Sequence, residues 1–321
     1  MLRILAERTE APADLLVPAI GVAGWLRLWQ AEDDLVVLLD DGPSEVRAAA
    51  IRALHRLDWW RTDRLEARLR TEAKDVDCLL ALLGVAATVD KPPTTLILPL
   101  LDHADQRVRE AAAATFDGSK DHETVAALAA FTDAAEGIKR IDALRMLGRI
   151  EANPARDESL LRALATDDWP QRQASLQALM QGTTPLRDAS AVWCRIEDAT
   201  ASVTEQVHAL AVLEQRNLVD APRLVARLPG MHPVVKLQAA RCLVRAGAAE
   251  GVTTLIALLT TQEGPGVDDE DMNCARGESL RILTELAGED LGPRPDDWQA
   301  WHRRNPKLRP SQLARPPRLA W

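Results

Sequence analysis

Residues 44–57 read SEVRAAAIRALHRL, and this pattern returns in step as far as residue 283. Its core is a small residue followed four places later by a large apolar one, Ala50 and Leu54. In register with Ala50 stand Ala81, Ala112, Ala143, Ser175, Ala209, Ala239 and Ser279, at intervals of 31, 31, 31, 32, 34, 30 and 40 residues. Four places after them come Val85, Phe116, Leu147, Leu179, Leu213, Leu243 and Leu283. On a helix, residues i and i+4 share a face, so each copy offers a close approach beside an interlocking side chain. A period near 31 of this kind belongs to stacked helical pairs. The spacing therefore predicts an all-α fold: an α-α superhelix, or solenoid, of about eight helical-hairpin repeats, with the eight small positions buried in successive second helices.

Upstream of each copy lies an apolar cluster that ends at turn residues, as 35–39 (LVVLL) ends at 40–43 (DDGP). Such residues stop one helix and cap the next. The copy around Ala81 is nearly all apolar over 78–83, which predicts the most buried second helix of the series. The reading makes residues 1–305 one solenoid, with an N-terminal cap over about 1–30 and a C-terminal cap over about 286–305, followed by an extended Pro/Arg-rich tail at 306–321. The last interval is lengthened by an insertion within residues 262–273, QEGPGVDDEDMN, which is expected to form a solvated acidic loop. The oxygen spacing of an EF-hand loop is missing there, so no metal is assigned.

Three residues before each small position stands Arg47, Cys78, Arg109, Arg140, Arg172, Gln206, Lys236 or Arg276. In Asp40/Arg47, Asp102/Arg109 and Asp133/Arg140 an aspartate precedes the arginine by seven residues. This constellation resembles HEAT repeats, especially the short HEAT-like repeats of phycobilisome lyases, over roughly residues 12–305. The resemblance implies a structural Asp-Arg ladder between adjacent turns, interrupted at Cys78 and Gln206. Residues 286–292 (LAGEDLG), then Asp296, Trp298, Trp301 and Asn305, resemble the closing segment of bacterial HEAT-repeat proteins. Trp298 and Trp301 would share a helix face and cover the last repeat's core.

Function is less legible than fold. A formal net charge of -9 argues against a nucleic-acid coat, because phosphate binding rests on a summed positive field, and it favours a protein partner. The four cysteines show no CxxC spacing and read as free thiols in a reducing compartment. The apolar run 15–28 is broken by Pro18, Gly21, Gly24 and Arg27 and preceded by acids, so neither a secretory signal nor a membrane span is expected. The chain reads as cytoplasmic.

P-loop, GxSxG, HExxH and dinucleotide fingerprints are all missing, so no catalytic residue and no cofactor are assigned. HEAT-type di-iron hydroxylases need several His-Glu pairs, and this sequence has one, His122-Glu123. The alternative is a nucleic-acid-acting factor resembling HEAT-like DNA glycosylases, for which Trp59-Trp60 with Asp58 and Asp63, or Trp169 with Asp167 and Asp168, could imitate a site. The favoured reading is a non-catalytic protein-interaction scaffold or adaptor. The HEAT resemblance implies that second helices line its concave face. Two residues after each small position the helix has turned about 200°, toward solvent. That position carries Arg52, Leu83, Ala114, Arg145, Gln177, Ala211, Arg241 and Arg281. Arg52, Arg145, Gln177, Arg241 and Arg281 are therefore the expected contacts for an acidic helix or tail of a protein partner.

Overall fold

A computed structural model describes residues 12–182, 185–260 and 269–305, and every regular element among them is a helix. The fold is the all-α solenoid arrangement that the period predicts, with helices packed on their neighbours in sequence. The chain divides into two compact units, Met1–Glu151 and Ala152–Trp321.

The first unit holds α1 (Ala13–Trp25), a 3-10 turn (Trp29–Ala31), α2 (Glu32–Asp41), α3 (Ser44–Arg56), α4 (Thr62–Thr71) and α5 (Val76–Ala86). It continues with α6 (Thr94–Ile97), which runs into a 3-10 turn (Leu98–Asp102), then α7 (Gln106–Ala114), α8 (His122–Ala134) and α9 (Gly137–Arg149). Helix α3 is packed by α1, α2 and α5, and α5 in turn by α4 and α7. The α1 to α3 crossing is close because Gly24 faces it: a Cβ there would stand 2.7 Å from Ala53 Cα. On the far side of α1, Leu15, Val22 and Trp25 are exposed, as is Leu26 just beyond it. Residues 1–11 of the expected N-terminal cap lie outside the described residues, as does the tail 306–321.

The second unit holds α10 (Pro154–Ala163), α11 (Trp169–Leu179), α12 (Ser190–Glu197), α13 (Val203–Gln215), α14 (Ala221–Arg227) and α15 (Pro233–Arg245). It ends with α16 (Ala249–Leu258), α17 (Asp269–Ala287) and α18 (Pro295–Arg304). Here α11, α13, α15 and α17 pack in succession, and α18 covers α16. Trp298 and Trp301 meet edge to face with ring centroids 6.1 Å apart, in one apolar cluster with Val252, Leu255, Leu283 and Leu286. The tryptophans thus close the core, and Trp298 Nε1 donates to the Gly292 carbonyl at 2.7 Å.

All eight small positions are buried, and so are the eight large residues four places on. Ser175 keeps a hydroxyl in this setting because it donates to the Leu160 carbonyl of the adjoining helix. Several helices start where a side chain can hold their free N–H groups. Asp75, Asp105, Asp121, Asn153 and Asp220 cap in this way, and Ser202 with Glu205 forms a full capping box. Three second helices stop identically. Eight residues after the small position, Asp58, Asn217 and Gly247 take the left-handed conformation (φ 55°, 55° and 78°). The next amide then reaches back to the large apolar residue's carbonyl: Trp59 to Leu54, Leu218 to Leu213 and Ala248 to Leu243, at 3.1, 2.8 and 2.9 Å. This is the six-to-one bond of a Schellman ending.

Two expectations are corrected. The most enclosed second helix is α15, not α5: every α15 residue except Lys236 and Arg245 is buried, because α13, α16 and α17 all pack on it. The described part of the acidic insertion is helix rather than loop. Asp269, Glu270 and Asp271 form the first turn of α17, where carboxylates meet the positive end of the helix dipole, and Met272 is buried behind them. Residues 262–268 lie outside the described residues.

Candidate functional site

Several of the residues three before the small positions build a scaffold of ion pairs and capped carbonyls. Arg47 donates to Glu72 at 3.2 Å, to Asp75 at 2.7 Å and to the Gly42 carbonyl at 2.9 Å. In the second unit Arg172 repeats this, donating to Glu205 at 2.6 Å and to the Thr166 carbonyl at 2.9 Å. Each guanidinium thereby closes its own turn and reaches the next second helix. The expected partners were other acids. Asp40 instead pairs with Arg68, Asp102 pairs with Lys139 at 2.5 Å, and Arg109 holds the His103 carbonyl at 2.7 Å. The seven-residue spacing places aspartate and arginine on one turn, whereas the arginine side chain extends toward the neighbouring repeat. Gln206 keeps only the turn-closing half of the scheme: its amide donates to the Asp198 and Ala201 carbonyls and, being uncharged, forms no ion pair with the next repeat.

At Arg47 this scaffold borders a cleft of about 480 Å³ lined also by Ser44, Lys74, Asp77 and Arg107. Glu72, Asp75 and Cys78 bring ligand-type atoms within 4.8 Å of one another there. Their chemistry does not fit a metal ion. Arg47 already supplies the positive charge between the carboxylates, and burial, with Glu72 and Asp75 nearby, pushes the Cys78 thiol up to about 12. The sulfur remains a thiol and donates to the Ser44 carbonyl. Burial opposes ionisation of Asp75, but hydrogen bonds from Ser44 and the Cys78 amide outweigh it and hold the carboxyl below its ordinary value. Glu72 carries no repeat signature, and the sequence reading missed it.

The five expected partner contacts divide. Arg52 and Gln177 are exposed on α3 and α11. Arg145 is exposed on α9 but pairs with Asp142 at 3.2 Å. Arg281, on α17, is held between Glu278, at 2.8 Å, and Glu285. Arg241 departs from the solvent-facing expectation: it is 8% exposed, enclosed with the rest of α15. Leu83, at the same register on α5, is buried too.

The second unit also contains an ion triad that the sequence reading did not find. Arg156 and Arg216 are almost fully buried on either side of Asp157. Arg216 places Nη1 and Nη2 at 3.1 and 3.2 Å from the two carboxylate oxygens and donates to the Leu179 carbonyl at 3.0 Å. Arg156 lies 3.2 Å from the same carboxylate and gives Nη2 to the Ala178 carbonyl at 2.7 Å. Burial brings the Arg156 guanidinium down to about 10, Asp157 resisting and Arg216 adding to the fall. It stays charged at neutral pH. The carbonyls belong to the C-terminal end of α11, so the triad ties three segments together.

The tryptophans considered for a base-binding role are engaged otherwise. Trp60 is buried and donates to the Ile51 carbonyl at 3.1 Å, Trp59 packs edge-on against it at 5.0 Å, and Arg64 stacks on Trp59 at 4.2 Å. Trp169 is half exposed at the start of α11, with Nε1 3.4 Å from Ser202 Oγ. No helix among the described residues is long and apolar enough to cross a membrane. No protein-family model matches this chain, and no curated protein matches it.

Proposed function

We propose that this protein is a non-catalytic scaffold or adaptor that holds a protein partner, an acidic helix or tail, on the outward face of its second helices. The observation that carries this reading is the setting of Arg52 and Arg145 in the first unit. Both are exposed on helices whose opposite side is core, so their charges stand on a base that packing keeps rigid. The Arg145 to Asp142 pair is exposed on both partners, and such pairs contribute little. A partner carboxylate can therefore replace Asp142 at small cost, with bidentate geometry as the gain. The four cysteines are free, which accords with a reducing, cytoplasmic setting.

The test is charge reversal. Arg52→Glu combined with Arg145→Glu is expected to abolish capture of the native partner from host extract while helicity and melting temperature stay within about 2 °C, as exposed positions imply. Capture that survives both reversals overturns the reading.

A further inference from the structure

Arg241 differs from several other arginines of the second unit. Arg172, Arg216, Arg223, Arg245 and Arg281 all pair with a carboxylate. Arg241 makes no hydrogen bond and no ion pair among the described residues, although it is only 8% exposed. A guanidinium offers five N–H donors and is charged at every physiological pH. Its side chain is enclosed, but its nitrogens are not buried and so reach the surface, while burial of the rest of the group lowers its pKa.

The surroundings explain why no neighbour takes it. Glu214 is the nearest acid in electrostatic terms, but its carboxylate is already shared by Arg245, at 2.5 Å, and Gln238, at 3.0 Å. Glu278 is held by Arg281. On α13 the residue at the register of Arg241 is Ala211, whose methyl group is too short to cover a guanidinium. The protein has thus fixed a guanidinium on a packed side chain, its nitrogens reaching the surface beside acids that are otherwise engaged.

We propose that Arg241 is the centre of a carboxylate-binding site on the second-helix face of the second unit, and that it takes a glutamate or aspartate side chain of the protein partner. A planar carboxylate matches the guanidinium fork. A phosphate dianion suits the place less, since Glu214 and Glu278 would repel its second charge. This deepens the scaffold reading and rests on it.

The experiment uses the full chain and two probes, an N-acetylated octaglutamate peptide and inorganic phosphate, at matched ionic strength. Wild-type protein is expected to melt at a higher temperature in the peptide and to gain less from phosphate. Arg241→Met keeps the aliphatic bulk and removes the unpaired charge, so its melting temperature alone should equal or exceed wild type. Its affinity for the peptide should fall about tenfold or more, the worth of a hydrogen bond to a charged group. No peptide-induced rise in wild type, an unchanged peptide response in Arg241→Met, or a larger response to phosphate overturns the site. If the site fails while Arg52→Glu with Arg145→Glu still abolishes partner capture, the scaffold reading stands without it. If capture also survives that double reversal, both fall.

Discussion

Arg216 reaches back across 59 residues of chain to set both terminal nitrogens against the two oxygens of Asp157. Gly182 makes this possible, since a Cβ at that position would overlap the Arg216 guanidinium. Two arginines and one aspartate, all nearly dry, form a unit whose members depend on each other. Removing the shared carboxylate leaves two buried cations side by side. Asp157→Ala is therefore expected to destabilise by about 3–5 kcal/mol, read from denaturant melts. Replacing the whole triad by Met, Leu and Met should cost far less than that single change, because no uncompensated charge is left. A single-site loss under about 1 kcal/mol would show that the triad carries no such dependence.

His208 gives a pH dependence with a definite sign. It is buried on α13, its Nδ1 lies 2.9 Å from the Gln173 amide nitrogen, and burial lowers its pKa below the ordinary value. The unfolded chain then binds a proton at a pH where the folded chain does not. Stability is fully present above the unfolded His value, near 6.5, and is lost as pH falls below it toward the lower folded value. Melting temperatures of wild type and His208→Gln, measured from pH 7.5 to 5.5, should diverge: wild type falls and the variant falls less. Parallel curves would remove His208 as the cause.

The division between what could and could not be read from sequence follows the range of the interactions. Ala50 with Leu54, and its seven echoes, are local and repeated, so the period exposed them and the structure buries all sixteen residues. Trp298 and Trp301 were legible for the same reason, being three apart on one helix. Arg47 was found by its register, but its acids, Glu72 and Asp75, were not, because pairing across a repeat depends on where a long side chain reaches. Asp157 and Arg216 fit no period at all. The outward Arg register failed at Arg241, where α15 is enclosed by three neighbours that helix geometry alone cannot place. Asn217 and Gly247 were available signals, residues favoured at left-handed helix ends, and lining them up with Asp58 would have located three helix stops.

Nucleic acid provides a contrast. With a net charge of -9, and with Arg145 and Arg281 paired to acids on their own helices, few phosphates can be neutralised together. Mobility-shift assays with random duplex and abasic DNA at physiological salt are expected to show no binding at micromolar protein. Salt-sensitive binding tighter than that would support the glycosylase-like alternative.

Met272 tests the corrected reading of the acidic insertion. If residues from Asp269 onward belong to α17, the methionine is core, 1% exposed. Met272→Ala should then destabilise by about 2–5 kcal/mol, the range for truncating a buried methionine. A loop residue would tolerate the change with a loss under about 0.5 kcal/mol, which chemical denaturation separates from the first outcome.

The repeated helix ending makes the last prediction. Asp58, Asn217 and Gly247 hold the same place in three repeats with φ between 55° and 78°, a region that costs any residue with a Cβ more than it costs glycine. Asparagine and aspartate tolerate it and branched residues do not. The ending is also useful to the stack, since the bonds from Trp59, Leu218 and Ala248 satisfy carbonyls that a frayed helix would leave open. Asp58→Gly and Asn217→Gly should therefore each stabilise by a few tenths to about 1 kcal/mol, the strain relief exceeding the added freedom of the unfolded chain. Gly247→Val should do the reverse and lose about 1–2 kcal/mol. Because the three sites stand in separate repeats with no shared partner, the two gains should add when combined. Thermal melts of the single and double variants decide the matter: a loss of stability in either glycine variant would mean that its side chain, rather than its backbone conformation, is what that helix end requires.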